Sequence, residues 1–249
     1  MRIAYQDEAV TLWHGNALDV IECLPVVDAA ITDPPYGETD LPWDRWPHGW
    51  MMALAGKTDS VWCFGSLRMF MEQRNEFLGW KLSQEVVWEK HNGSGLHNDR
   101  FRRVHELAAH FYQGVWGRIY KKVVVVEVEE ARRRGTSVKR GTKPAHWGSS
   151  EQGTSYVYNG TRLQRSVIYA RSCHGHAIHP TQKPEEIVAP LIEYSVRPGG
   201  TVLDCFAGSA TTLIVARRMG RKAIGIEADE AMIEKAVARL RIEAGRAAA

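Results

Sequence analysis

What is scarce in this 249-residue chain narrows its function before any motif is considered. Cys23, Cys63, Cys173 and Cys205 are its four cysteines. They are scattered, with no C-x-x-C pair, which argues against a zinc site and against a disulfide framework. Free thiols in a reducing cytosol are expected. No run approaches the roughly eighteen apolar residues of a membrane span. Met1 to Gln6 lacks a charged stretch leading into a long apolar one, so a soluble, unexported protein is expected. There are no internal repeats. His174, His176 and His179 crowd together, but a metal site there is the less favoured reading and no metal is assigned to them. Gly-x-Gly-x-x-Gly is also missing, so the chain lacks the glycine cradle that a dinucleotide pyrophosphate needs.

What is present reads as an α/β domain with an insertion. A hydrophobic content of 44% supports a real core. Strand-like runs are expected at Val26 to Thr32, Ser60 to Phe64, Thr201 to Leu203 and Lys222 to Ile226. Helices are expected around Ala17 to Leu24, at Trp50 to Ala55, Leu67 to Phe77, Glu185 to Val196 and Thr211 to Met219, and from Asp229 onward. Such alternation predicts a doubly wound, mostly parallel sheet. Glu85 to Trp88 and Leu107 to Tyr112 are expected to pair antiparallel.

The charge is uneven. From Phe111 to Arg171 there are twelve Lys or Arg, four Glu and no Asp, a balance of +8 against +3 for the whole chain. Within this stretch lie Arg132, Arg133 and Arg134, then Lys139, Arg140 and Lys143, interleaved with Trp116, Tyr120, Trp147, Tyr156 and Tyr158. A basic segment carrying aromatic rings suits nucleic-acid phosphates. A solvated charge run is the plainer alternative.

Two motifs carry chemistry. Asp33-Pro34-Pro35-Tyr36 closes the first buried strand. Its prolines hold the backbone extended and remove donors. The result is a rim of acceptors, the Asp33 carboxylate and the Pro34 carbonyl, beside the Tyr36 ring. A planar substrate with an exocyclic amino group, such as a nucleobase, fits that rim. Far downstream, Asp204-Cys205-Phe206-Ala207-Gly208-Ser209-Ala210 turns a strand into a helix, and about twenty residues later Glu227 ends the next strand. That is where nucleotide-binding βαβ units grip a ribose. An adenosine-containing cofactor without a pyrophosphate is therefore expected, and S-adenosyl-L-methionine is the candidate.

With these motifs in this order, the chain resembles the β-class amino-methylating DNA methyltransferases, in which the catalytic tetrapeptide precedes a target-recognition region and the cofactor turn comes last. His179-Pro180-Thr181-Gln182-Lys183-Pro184 is similar to the segment before the cofactor turn. Trp88-Glu89-Lys90, Asn92-Gly93-Ser94-Gly95 and Phe101-Arg102-Arg103-Val104-His105-Glu106 resemble the middle blocks. The resemblance implies a fold of the S-adenosylmethionine-dependent methyltransferase type. It divides the chain into a catalytic part at 1–113, a target-recognition insertion at 114–171 and a cofactor-binding part at 172–249. It implies Asp33, Pro34, Pro35 and Tyr36 as catalytic residues. Asn16, Asp33, Lys183, Asp204, Phe206, Ala207, Gly208, Ser209 and Glu227 would hold the cofactor, and Arg102, Arg103, Arg132, Arg133, Arg134, Lys139, Arg140 and Lys143 would contact DNA.

Asn16 stands where the family usually has aspartate, and Ala210 where it more often has glycine. The implied activity is methylation of N6 of a flipped-out adenine in double-stranded DNA. N4 of cytosine is the near alternative, and a catalytically silent DNA-binding protein a remote one. Methylation of a glutamine amide or a ribosomal RNA base ranks low, because there the cofactor turn precedes the tetrapeptide. A homodimer and a cognate restriction enzyme are open expectations as partners, no membrane partner is expected, and the expected place is the cytoplasm of a bacterial or phage-infected cell, at the nucleoid.

Overall fold

The computed structural model describes residues 1–94, 99–127, 160–173 and 182–247. It contains two compact units, one of residues 1–122 with 166–249 and one of 123–165.

In the larger unit, β1 (Arg2–Gln6) and β2 (Val10–His14) form an antiparallel hairpin, and α1 (Ala17–Cys23) leads to β3 (Ala29–Thr32). Then come α2 (Trp50–Leu54), β4 (Ser60–Gly65), α3 (Leu67–Glu72), the long β5 (Lys81–Ser94) and β6 (Arg103–Tyr112). In the smaller unit, β7 (Val125–Glu127) pairs antiparallel with β8 (Thr161–Leu163). The chain returns to the larger unit through β9 (Val167–Tyr169), α4 (Glu185–Ser195), β10 (Thr201–Asp204), α5 (Thr211–Arg218), β11 (Lys222–Glu227) and α6 (Glu230–Ala247).

The larger unit's sheet runs β1-β2-β11-β10-β3-β4-β6-β5-β9. From β2 to β4 every neighbour is parallel, β6 runs antiparallel to β4 and β5, and β9 rejoins β5 in parallel. The fold is thus α/β, with a mostly parallel, doubly wound sheet. Its central strands are apolar on both faces: every residue of β3 and β4 is buried. That is the signature of strands covered by helices on each side. α5 lies so close on β11 that a Cβ at Gly225 would come within 2.7 Å of Leu213 Cδ2. Glycine is required there by contact, not by a turn.

Several elements differ from the expectation. The helix expected over Leu67 to Phe77 stops at Glu72, where a 3-10 turn at Arg74–Phe77 takes over. The Val26 to Thr32 run yields a strand only from Ala29; before it, the Val27 N–H donates to the Lys57 carbonyl and the Asp28 N–H to the Thr201 carbonyl. β9 belongs to the main sheet through its pairing with Val87 to Glu89, although it lies within the stretch expected to be inserted.

The winding reverses between β3 and β10. From β3 the chain proceeds through α2 to β4 on one side, and from β10 through α5 to β11 on the other. Ligands of open α/β sheets bind at such a switch point, outside the carboxyl ends of the strands.

Candidate active site

Four strand ends converge at that point: His14 of β2, Thr32 of β3, Asp204 of β10 and Glu227 of β11. Asp33 follows β3 directly. Thr32 Oγ1 donates to Asp204 Oδ1 at 2.9 Å, joining the strand that leads into the tetrapeptide to the strand that leads into the 204–210 turn.

Asp33 is held from both sides. The Tyr36 hydroxyl donates to Oδ1 at 2.6 Å and lies 3.1 Å from Glu106 Oε1. Lys183 Nζ sits 2.5 Å from Asp33 Oδ2 and 2.8 Å from Glu106 Oε1. Lys90 Nζ closes the row, 2.7 Å from Glu106 Oε2 and 4.4 Å above the Trp88 ring. Two carboxylates and two ammoniums therefore alternate in a mostly buried line, with Lys183 only 8% exposed. Glu106 reaches this line because β6 pairs it opposite Trp88, which places Lys90 diagonally across the ladder.

Burial pushes the Asp33 carboxyl up from its ordinary value, against the pull of the Lys183 ammonium, with the charge of Glu106 adding to the rise. Burial alone would raise Glu106 too, but Lys183 and Lys90 bring it down to about 2. Burial opposes the charge of Lys183 itself, and Asp33 and Glu106 more than restore it, so its pKa is raised. Burial and the two carboxylates push Tyr36 well above its usual range, so its hydroxyl remains a donor.

The other half of the site consists of acceptors. Asp204 is buried and held up at about 6 by that burial, although the Thr212 and Thr32 hydroxyls and the Phe206 N–H pull it down. Glu227 receives the Gly208 N–H on Oε2 and the Asp229 N–H on Oε1, each at 2.8 Å. Burial raises it as well. The Ala228 N–H bears on the same carboxylate, which keeps some accepting capacity for a ligand. Asn16 caps α1, its side-chain oxygen accepting the Leu18 N–H at 2.9 Å, while the Gly15 amide bonds the Glu227 carbonyl at 3.0 Å. Asn16 is thus brought next to Glu227. Phe206 meets Trp50 edge to face, with centroids 5.8 Å apart. Gly208 has φ +47°, and Ala210, at φ +62°, is the one non-glycine residue in the left-handed region among those described. Alanine bears about 1–2 kcal/mol of strain in that conformation, which glycine avoids.

The residues expected to be catalytic and those expected to hold a cofactor thus lie on one edge of one sheet. Lys183, expected beside the cofactor, has its ammonium on Asp33 and Glu106. Arg102 and Arg103 are exposed. The Arg102 side chain passes closely over Gly93, and Arg103 lies 3.5 Å from Glu38. Arg132, Arg133, Arg134, Lys139, Arg140 and Lys143, and the histidines at 174, 176 and 179, fall outside the described residues. No cluster of potential metal ligands occurs among the described residues. Glu106 and Lys90 entered the sequence reading only as parts of family blocks. No local spacing connects positions 33, 90, 106 and 183.

A family model described as DNA methylase, of the N6/N4 type, matches residues 27–238. The chain belongs to this family. Among curated relatives, the type II methyltransferase M1.MboII of Moraxella bovis is 25% identical over 237 residues, covering 84% of this chain and 87% of that one. M2.DpnII of Streptococcus pneumoniae, also a type II methyltransferase, is 47% identical over 66 residues, 26% of this chain and 24% of its own.

Among solved structures, the M1.HpyAVI–SAM complex superposes with a TM-score of 0.62 at 24% identity, covering 93% of this DNA methylase and 98% of that chain. PvuII DNA methyltransferase, described as cytosine-N4-specific, superposes at 0.61 with 16% identity, covering 96% and 88%. At such identities these neighbours establish the fold. The row of carboxylates described above is therefore the candidate active site of a DNA methylase.

Proposed function

We propose that this chain is a β-class DNA methyltransferase that uses S-adenosyl-L-methionine to methylate N6 of adenine in double-stranded DNA. The observation that supports this most is Asp33: a carboxylate at the end of β3, paired with Lys183 and on the same sheet edge as the Asp204 and Glu227 acceptors.

The acceptor half fits the cofactor by the chemistry of its donors. Asp204 is a buried carboxylate that no side-chain cation neutralises among the described residues, and the Glu227 carboxylate keeps accepting capacity for a ribose hydroxyl. A ligand with an ammonium, a sulfonium and a ribose diol supplies what these groups lack, whereas a pyrophosphate would face like charge. In this reading Glu227 takes the ribose hydroxyls, Asn16 offers a neutral acceptor to the adenine amine, and Asp204 and the 206–209 turn border the methionine arm. When bound, the cofactor supplies an electrophilic methyl group.

The chain's own residues do the rest. The N6 nitrogen of adenine is a poor nucleophile because its lone pair is delocalised into the ring. The Asp33 carboxylate and the Pro34 carbonyl each accept one amino proton, which favours a pyramidal nitrogen with a localised lone pair. Alignment and charge stabilisation supply most of the acceleration. Asp33 then receives the proton that the nitrogen sheds. Pro35 keeps the segment extended, and the Tyr36 ring stacks on the base, which must leave the duplex to reach this pocket. An aspartate at position 33, where serine is more usual in cytosine-N4 enzymes, favours adenine. The basic stretch at 114–171 provides target recognition, and the protein acts in the cytoplasm.

The test is chemical. Incubation with labelled S-adenosylmethionine and unmodified DNA, followed by digestion to nucleosides, should yield N6-methyladenine. N4-methylcytosine would move the assignment to the other amine. No product would favour the silent DNA-binding protein.

A further inference from the structure

Glu106 is mostly buried, central to the charged row and without a role in the mechanism above. Its Oε1 is shared by the Lys183 ammonium and the Tyr36 hydroxyl, and its Oε2 is held by Lys90. Both groups that touch the Asp33 carboxylate are thus also held by Glu106. We infer that Glu106 is a positioning residue for methyl transfer, dividing the Lys183 ammonium and the Tyr36 hydroxyl between two carboxylates so that Asp33 keeps enough basicity to accept a proton from the target amine. This rests on the proposed role of Asp33.

The alternative is a simple pair. With Asp33 and Lys183 alone, the ammonium and the phenol would both bear fully on Asp33, giving a stable carboxylate but a weak base. A second carboxylate at hydrogen-bond distance from the same ammonium draws off part of that stabilisation and adds its own like charge. Lys90 then compensates Glu106, so the row is neutral and tolerates burial. Removing only the charge of Glu106 should therefore make Asp33 more acidic and the chemical step slower.

The groups that face Asp33 can be named. They are Tyr36 from its own segment, Lys183 ahead of α4, Glu106 on β6, Cys63 on β4 and Asp204 on β10, with Lys90 on β5 acting through Glu106. Glu106→Gln alters only one of these and keeps an oxygen for Tyr36 and Lys183.

The experiment is a pH profile of single-turnover methyl transfer at saturating cofactor and DNA, which separates chemistry from binding. For Glu106→Gln the acid limb should move about one pH unit lower, and the plateau rate should fall on the order of tenfold. Cofactor affinity should not change. Because the variant leaves Lys90 uncompensated, Glu106→Gln with Lys90→Met serves as the stability control, and it should show the same displaced limb. An unmoved limb, or an unchanged plateau, in a folded variant overturns the inference and leaves the role of Asp33 intact. If Asp33→Asn still turns over, the reading of the site fails and takes this inference with it.

Discussion

Lys183 Nζ and Asp33 Oδ2 meet at 2.5 Å across 150 positions of sequence, and the same ammonium lies 2.8 Å from Glu106. Removing it would leave two carboxylates facing each other with little water to separate them. Lys183→Met should cost about 3–5 kcal/mol at neutral pH, the usual consequence of orphaning a buried charge. The deficit should shrink in acid as the carboxylates take up a proton. Denaturant titration at two pH values measures it, and a loss below about 1 kcal/mol would mean that the row contributes little to stability.

If Asp204 borders the methionine arm as proposed, cofactor binding should depend on pH. Its carboxyl titrates near 6, raised by burial. A cationic ligand prefers the ionised form, so affinity should weaken as pH falls below about 6 and level off above it. In Asp204→Asn that dependence should be flat. Calorimetric titration of S-adenosylmethionine between pH 5 and 8 would show either pattern.

His110 supplies a separate stability signature. It is fully buried between the Ser60 and Ser83 hydroxyls, and burial lowers it to about 4. Its folded pKa lies below its unfolded value, so its contribution is complete above about 6.5 and is lost as pH falls through about 4. Between those limits the unfolded chain binds the extra proton. The difference in stability between the wild type and His110→Gln should therefore decrease steadily from pH 7 to pH 4. A constant difference would place a charged imidazole in the core.

Arg102 and Arg103 are exposed beside β6. If they neutralise phosphates, replacing both with Ala should weaken DNA binding regardless of sequence and reduce the slope of log affinity against log salt by about 0.9 per contact. The triple replacement of Arg132, Arg133 and Arg134 should lower it by up to roughly 2.7. Unaltered slopes would identify these arginines as solvated surface.

Local chemistry made much of the fold legible. The apolar runs of β3, β4, β10 and β11 bury where their patterns indicate, because burial is what imposes those patterns. Asp33, Asp204 and Glu227 were legible because each closes a strand, and strand ends of a parallel sheet share an edge. Glu106 and Lys90 were not. Their meeting with Lys183 depends on the antiparallel register of β5 and β6, which pairs Trp88 with Glu106. No periodicity within either strand specifies that register. Ala210 gave the opposite case: its departure from the family pattern was visible, but the left-handed backbone on which alanine is strained and glycine is not was hidden.

The central claim is that Asp33 receives the target amine. Single-turnover methyl transfer by Asp33→Ala and Asp33→Asn, measured together with cofactor binding, tests it most directly. Turnover should vanish in both while cofactor affinity stays within about threefold, because the carboxylate acts on the base and not on the cofactor. Methyl transfer at a rate near that of the wild type in either variant would contradict it.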